Sequence, residues 1–396
     1  MLSVLNIIIF ISSFLVVLGG LVFFHELGHY SVARMFNTAV ERFSIGFGKP
    51  IAQWTRKNGE IWSIGRIPLG GYVKFLGDAG GASNPDREEL AKLKAELSSD
   101  GKAIENCFHF KPLYQRVLIV LAGPIANFIL AIILTAVVAI SFGTVSLKSV
   151  VTDVIPGGAA AEAGVLPGDH LLRLNGKDIS VFEKLAPYVS VRSGVEMMLD
   201  VDRNGAIVSF PITPQKLERR DFVGGKNNVG TIGIRVINSP ETRTTVKHNP
   251  ISAISYGGSQ FMSTLTTTGT YIGRIFQRKE DGKALGSVVR IATITGKSAV
   301  DITSADITIG QKLRGLIYTL LSLAAALSIG LGVANLMPIP ALDGGHLLYY
   351  SYEAVAGRPL SEQKQEFGFR VGFAVLLGLM VVLTINDIGY IRSLFT

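Results

Sequence analysis

A His-Glu-x-x-His motif occupies residues 25–29, near the start of the 396-residue chain. Residues four apart on a helix share one face, so His25 and His29 are expected to point the same way. Two imidazoles at this spacing can bind one Zn²⁺, and Glu26 beside them can take a proton from water that the metal activates. A lone histidine on an apolar face is more often a packed core residue, but the complete motif favours a metal site.

The setting of the motif strengthens that interpretation. Residues 1–24 carry no charged side chain, and a stretch of this length is enough to span a bilayer. Ionisable residues at membrane depth are costly and are therefore usually functional.

A third candidate ligand, Asp343, lies where another apolar run breaks. Residues 335–346 at the end of that run contain two prolines and two glycines. Irregular backbone at membrane depth is tolerated where it lines a site or a cavity, which makes Asp343 a strong candidate for the third zinc ligand. His346 is a weaker candidate, because a surface position would suit it equally well.

The composition indicates a membrane protein with a sizeable soluble part. Hydrophobic residues make up 48% of the chain and charged residues 17%, with 38 Lys and Arg against 30 Asp and Glu. No cluster of basic and aromatic residues stands out, so we expect no nucleic-acid partner and assign the positive charge to cytoplasmic loops at the lipid bilayer. The single cysteine, Cys107, excludes an intrachain disulfide.

Four transmembrane helices are predicted, at about residues 5–24, 117–142, 316–336 and 371–387. The first is expected to be retained, because signal-peptide cleavage near its end would destroy the metal motif. The positive-inside rule puts the N-terminus outside, the basic region after the first helix in the cytoplasm, and, with four spans, the C-terminus outside. The second helix contains Asn127, an amide that either bonds a neighbouring helix or belongs to a polar site.

The segments between these helices have β patterns. Residues 61–67 alternate as a strand does, residues 68–71 form a turn, and residues 72–75 could return as a second strand of a surface hairpin within a β region at 40–80. Short apolar strands and turns across residues 144–236 predict an inserted β-rich domain. A linker at 237–312 follows, with an amphipathic helix at 249–273 lying against the membrane; residues 1–142 and 313–396 are expected to form the two halves of the membrane core.

Three motifs together resemble bacterial site-2 proteases of the RseP type, which are intramembrane zinc metalloproteases. They are His-Glu-x-x-His at 25–29, Gly-Pro-x-x-Asn-Phe at 123–128 and Asn-x-x-Pro-x-Pro-x-Leu-Asp-Gly at 335–344. The resemblance covers nearly the whole chain.

The resemblance implies a role for each site residue. His25, His29 and Asp343 would bind zinc, Glu26 would be the catalytic base, and Asn335 would hold the substrate or the oxyanion.

The hairpin also gains a role from the resemblance. It would be the membrane-reentrant β-loop of the family rather than a surface hairpin. We assign Gly70, Gly71 and Tyr72 of this loop, together with Asn127, to substrate binding.

The expected fold is therefore a polytopic α-helical membrane protein with four transmembrane helices, a membrane-associated β-hairpin and an inserted β-rich domain. Residues 150–213 of that domain are similar to the bacterial form of a PDZ domain, which in the family lies on the extracytoplasmic side. The best-known members carry two such domains in tandem, whereas this sequence shows one.

The expected function is hydrolysis of peptide bonds within transmembrane segments by a multi-pass protein of the bacterial inner membrane. The resemblance implies single-span substrates that have already been trimmed outside, such as anti-sigma factors, and remnant signal peptides. The alternatives are a catalytically silent membrane PDZ scaffold, against which the full motif set argues, and a transporter, which four spans without an internal repeat do not favour.

Overall fold

The computed structural model describes residues 4–78, 106–220, 226–236, 239, 242–280, 282 and 286–393. It divides the chain into two compact units. Unit 1 comprises Met1–Leu134 and Ile291–Val382, and unit 2 comprises Thr135–Arg290 and Leu383–Thr396.

Four helices of the described chain are long and apolar enough to cross a membrane, as the sequence predicts. They are α1 (Val4–Met35), α2 (Leu113–Phe142), α7 (Ile309–Asn335) and α9 (Glu362–Ser393). Because α1 continues well beyond residue 24, the His-Glu-x-x-His motif lies inside the helix and not at its end. The first turn of α7 is fixed by a capping box between Thr308 and Gln311, which satisfies backbone donors that the helix leaves free.

Two long strands, β1 (Val40–Thr55) and β2 (Ile61–Phe75), follow α1. Residues 42–45 of β1 pair with residues 71–74 of β2 on one side and with residues 61–64 on the other, and residues 52–55 also pair with 61–64. The two predicted hairpin segments, 61–67 and 72–75, therefore do not pair with each other, and that part of the prediction is wrong.

The cause is a bend within β1 that the alternation pattern does not reveal. Gly46 has a φ of +85°, a left-handed value that glycine adopts readily. A Cβ atom at Gly46 would lie 2.9 Å from the Ile67 carbonyl oxygen, so the fold-over needs the absence of a side chain. As a result, residues 71–75 form one edge of the sheet, and that edge packs beside α1 through the buried side chains of Val73 and Phe75.

The third long helix ends at a break, and α8 (Asp343–Ala356) begins after it. An ion pair holds α8 to α2: Arg116 Nη2 and Nη1 donate to Glu353 Oε1 and Oε2 at 2.6 and 3.1 Å. The Arg116 guanidinium also lies 5.1 Å from the centre of the Tyr350 ring. This two-pronged contact orients the helix whose first residue is Asp343.

Unit 2 contains a β-rich body, as the sequence predicts. Its elements are β3 (Thr144–Leu147), β4 (Asp153–Val154), α3 (Ala159–Glu162), β5 (His170–Leu174), β6 (Lys177–Asp178), α4 (Phe182–Ser190), β7 (Met197–Arg203), β8 (Ala206–Ile212), β9 (Gln215–Arg220), β10 (Lys226–Thr231), β11 (Ile234–Arg235) and β12 (Arg243–Val246). Strands β6, β5, β7 and β8 form a four-stranded sheet in that order, and β12 pairs with β3. Apolar side chains from β5 and β7, such as Leu171, Leu174, Leu199 and Val201, fill the core of this body.

Two more helices complete the chain, α5 (Pro250–Phe276) and α6 (Val288–Ser304). The N-terminus of α5 is capped by Asn249, whose side chain accepts from the Ser252 backbone N–H at 2.9 Å. Ala253 of α5 packs against Ala136 and Ala139 of α2. Such small side chains permit close contact between helices.

The pair of buried Asp169 and partly exposed Arg203 yields a prediction for the stability of unit 2. Arg203 Nε and Nη2 donate to the two oxygens of Asp169 at 2.8 and 2.7 Å, and these bonds hold the pKa of the Asp169 carboxyl below its usual value. We expect Asp169→Asn to lower the free energy of unfolding by about 1.5 kcal/mol at pH 7, the lower end of the range for hydrogen bonds to charged groups, because solvent at the partly exposed Arg203 screens the pair. Urea titrations followed by hydrogen exchange in β5 and β7 measure this change.

The stability that the Asp169–Arg203 pair contributes is expected to depend on pH in one direction. Because the folded pKa is lowered, the contribution is complete above about pH 4, the ordinary pKa of an unfolded aspartate, and is lost as the pH falls through the folded value. The difference between wild type and Asp169→Asn should therefore shrink below pH 4, and a difference that stays constant contradicts the assignment. Asp178→Asn is the matched control, because the exposed Asp178–Lys184 pair is expected to contribute little.

Candidate metal centre

Three side chains of unit 1 converge on one point. His25 and His29 lie on the same face of α1, with their Nε2 atoms 3.2 Å apart. The Oδ2 atom of Asp343 lies 3.3 Å from His25 Nε2 and 3.5 Å from His29 Nε2. The structure thus brings together the three residues that the sequence nominated as metal ligands, although 318 positions separate Asp343 from His25 along the chain.

The break between α7 and α8 delivers Asp343 to this point. Residues 336–342 are irregular and fold back against the first turn of α8. A Cβ atom at Gly344 would lie 2.2 Å from the Met337 carbonyl oxygen, so only glycine fits there. Asp343 itself is the first residue of α8, where the helix dipole favours a negative charge.

Two glycines allow α1 and α2 to approach closely at the same level. A Cβ atom at Gly28 would lie 2.3 Å from the Ala122 carbonyl oxygen. A Cβ atom at Gly123 would lie 2.2 Å from His29 Nε2 and 2.8 Å from His25 Cε1. The backbone of α2 therefore forms a wall against both imidazole rings.

Polar groups contact the ring nitrogens. His29 Nδ1 lies 2.9 Å from the Ile119 carbonyl oxygen, and His25 Nδ1 lies 3.1 Å from Asn127 Nδ2. Asn335 Nδ2, at the end of α7, lies 3.3 Å from His25 Nε2. Asn127 is 0% exposed and contacts the Nδ1 side of His25.

This donor set fits a zinc ion. Because the Ile119 carbonyl can only accept, His29 Nδ1 carries the proton and Nε2 directs a lone pair at Asp343. Asp343 Oδ2 is buried and has no hydrogen-bond partner among the described residues. Two imidazole nitrogens and one carboxylate oxygen are a known catalytic zinc set, and they leave a fourth position open.

A cavity of about 820 Å³ opens onto these ligands. Of the other predicted site residues, Glu26, Asn335, Gly70, Gly71 and Tyr72 line it. His346 lines the cavity as well but lies outside the cluster of ligand atoms. A Cβ atom at Gly71 would lie 2.8 Å from Glu26 Cγ, which shows how closely the edge of the sheet approaches the acid.

Sequence reasoning missed several wall residues. Phe369 and Phe373 of α9 line the cavity on one face of that helix, and their spacing of four residues was the available signal. Ile119 contributes a backbone carbonyl, which every residue type carries, so the sequence holds no signal for it.

Comparison with known proteins finds one family model and several relatives that match most of the chain. The model of peptidase family M50 matches residues 13–379. The chain is similar to the metalloprotease MmpA of Caulobacter vibrioides, with 38% identity over 98% of this chain and 99% of the relative. It is also similar to the zinc metalloprotease RasP of Geobacillus kaustophilus, with 29% identity over 96% of this chain and 97% of the relative.

The contact at Gly123 predicts a specific loss. Gly123→Ala places a methyl group within 2.2 Å of His29 Nε2, so the imidazole must move and zinc affinity should fall at least tenfold, the lower end of the range for disturbed ligand orientation. Zinc content after dialysis, read by mass spectrometry of the metal, measures it. Gly20→Ala in α1 is the control, since a Cβ atom there meets nothing within 4 Å; equal zinc content in the two variants contradicts the geometry.

Proposed function

Because the chain belongs to peptidase family M50, the site-2 protease family of zinc metalloproteases, we propose that it is an intramembrane protease. The observation that carries this proposal is the composition of the cavity wall. Val22 of α1, Val120 of α2, Leu331 of α7 and Phe373 of α9 all line it, so each of the four apolar helices contributes. A cavity lined by such helices is suited to a substrate that arrives from the hydrocarbon phase.

His25, His29 and Asp343 would hold the zinc ion. When bound, the ion supplies Lewis acidity, which polarises a scissile carbonyl and makes water a better nucleophile. Glu26 follows His25 directly on α1 and lines the cavity, so its carboxylate is placed to accept the proton of the attacking water and to pass it to the leaving amine. The donor set and the neighbouring acid together give no support to a catalytically silent scaffold.

Asn335 is proposed to stabilise the developing oxyanion. Its side-chain amide is at the end of α7, lines the cavity and lies 3.3 Å from His25 Nε2. An N–H donor held beside the metal ligands can bind the charge that develops on the substrate carbonyl.

The edge of β2 is proposed to hold the substrate. Gly70, Gly71, Tyr72 and Val73 line the cavity. Residues 71–73 pair with β1 along one side, and no second strand pairs with them among the described residues. A transmembrane helix must unwind before its carbonyls can be attacked, and an unpaired strand edge offers hydrogen bonds to the unwound stretch.

The substrates are proposed to be single-span membrane proteins already trimmed outside, of the anti-sigma-factor type, and remnant signal peptides. The protein would lie in the bacterial inner membrane with both termini outside. In this arrangement the β-rich body between α2 and α7, proposed to be a PDZ-like domain at 144–236, would lie on the extracytoplasmic side and act as a size filter or docking site. Basic side chains in the last turn of α1 and in β1, among them Arg34, Arg42 and Lys49, support the cytoplasmic assignment of the region that follows α1.

Two substitutions separate metal binding from proton transfer. We expect Glu26→Gln to keep stoichiometric zinc but lose cleavage of a transmembrane peptide substrate by at least about 100-fold, the contribution of a general base. Asp343→Asn should lose zinc as well, because a neutral amide is a poor ligand for it. Cleavage and metal content are measured on the same purified samples, with a chelator-treated wild type as control. Turnover by Glu26→Gln, or full zinc in Asp343→Asn, would remove that residue from its role.

Proline scanning tests the strand edge. Tyr72→Pro and Val73→Pro are made separately, because successive N–H groups alternate between the paired side and the free side. The variant that loses the free-side N–H should keep the sheet yet cleave slowly, since one hydrogen bond to the substrate is gone. Ala52→Pro on the opposite edge of the sheet is the matched control. Normal cleavage in both β2 variants, or equal loss in the control, argues against binding at this edge.

A further inference from the structure

Three residues of α2 at a spacing of four share one face of the helix: Ile119, Gly123 and Asn127. This face meets both imidazoles. Ile119 contacts the Nδ1 atom of His29, Asn127 contacts the Nδ1 atom of His25, and Gly123 leaves room for the two rings between them. Ile119 and Asn127 therefore contact the Nδ1 atoms, whereas the Nε2 atoms of the two rings face Asp343.

The state of His29 follows from its partner. A backbone carbonyl has no hydrogen to donate, so the Ile119 oxygen requires a proton on His29 Nδ1. The neutral ring then keeps its lone pair on Nε2, the atom that faces Asp343 Oδ2. The contact with Ile119 thus fixes His29 in the Nδ1–H tautomer, which leaves Nε2 free to bind a metal ion.

The state of His25 depends on which end of an amide it meets. A neutral imidazole has one donor nitrogen and one acceptor nitrogen. If Asn127 presents its NH₂ group to Nδ1, the proton of the ring is forced onto Nε2, where it blocks a metal. If Asn127 presents Oδ1, the Nδ1–H group donates to it and Nε2 keeps its lone pair.

The second orientation follows from the contacts of the ring with two amides. As placed, the Nδ2 atoms of Asn127 and Asn335 approach the two nitrogens of His25, and a neutral ring cannot accept at both, so at least one amide presents its oxygen. His25 Nε2 faces Asp343 Oδ2 and needs its lone pair to bind a metal, so the amide that is turned by 180° is that of Asn127.

We propose that Asn127 is a positioning residue that sets the tautomer of His25 by accepting its Nδ1–H through Oδ1. This role rests on the proposed metal centre. The backbone of Asn127 is itself anchored, since its carbonyl accepts from Ser328 Oγ of α7 at 2.7 Å. The amide therefore stands at a fixed height behind His25.

Zinc affinity of the full-length protein in detergent tests the proposal through competition with a chromophoric chelator. Asn127→Leu keeps the shape but removes the acceptor, and we expect a 10- to 100-fold weaker affinity, the range for lost partners of metal ligands. Asn127→Asp restores an acceptor and should recover most of the affinity. Gly20→Ala is the control, because a Cβ atom at that position of α1 meets nothing within 4 Å; its affinity should match wild type.

A second readout needs neither a variant of Asn127 nor activity. In zinc-free wild type with ¹⁵N-labelled histidine rings, His25, assigned by the signal missing from His25→Gln, should carry its proton on Nδ1. An Nε2–H ring, unchanged affinity in Asn127→Leu, or an Asn127→Asp variant that is folded yet binds as weakly as Asn127→Leu each overturns the proposal. Wild type that binds no zinc would instead overturn the metal centre itself, together with this inference.

Discussion

The contact on which the rest of the site depends is the approach of the α2 backbone to the two imidazoles of α1. It is possible because Gly123 and Gly28 carry no Cβ atom where the helices meet. At this distance a main-chain carbonyl reaches one ring and a short amide reaches the other. A wider crossing would leave both rings with rotational freedom and with buried nitrogens lacking partners, which costs free energy in an apolar interior.

The remaining elements bring one group each to this pair of helices. The broken end of α7 supplies Asn335, the start of α8 supplies Asp343, and the folded sheet supplies an edge beside Glu26. Each of these elements is held by a separate feature: a tight loop at Gly344, the ion pair between Arg116 and Glu353, and the bend at Gly46. A few side chains carry the reactive groups, whereas the contacts that position these side chains involve most elements of unit 1.

The sequence predicted the parts that leave a local signal. Four uncharged runs gave the four long helices, and the helical spacing of the His-Glu-x-x-His motif gave two of the candidate ligands. The fold-over of β1 left no such signal, because Gly46, Gly48 and Pro50 interrupt its alternation. The contact of Asn127 with His25 also could not be predicted, since one amide in an apolar helix can bond a neighbouring helix or belong to a polar site, and the sequence does not show which helices cross.

The two rings differ in what supports them, and the difference has a genetic consequence. The partner of His29 belongs to the peptide backbone at position 119, so every codon at that position encodes the same oxygen. A substitution there reports on the packing of a buried isoleucine and leaves the carbonyl in place. The partner of His25 is a side chain, which one nucleotide change can remove. A mutational screen therefore cannot detect the contact between the Ile119 carbonyl and His29. It can detect the contact between Asn127 and His25, because that contact depends on the side chain at position 127.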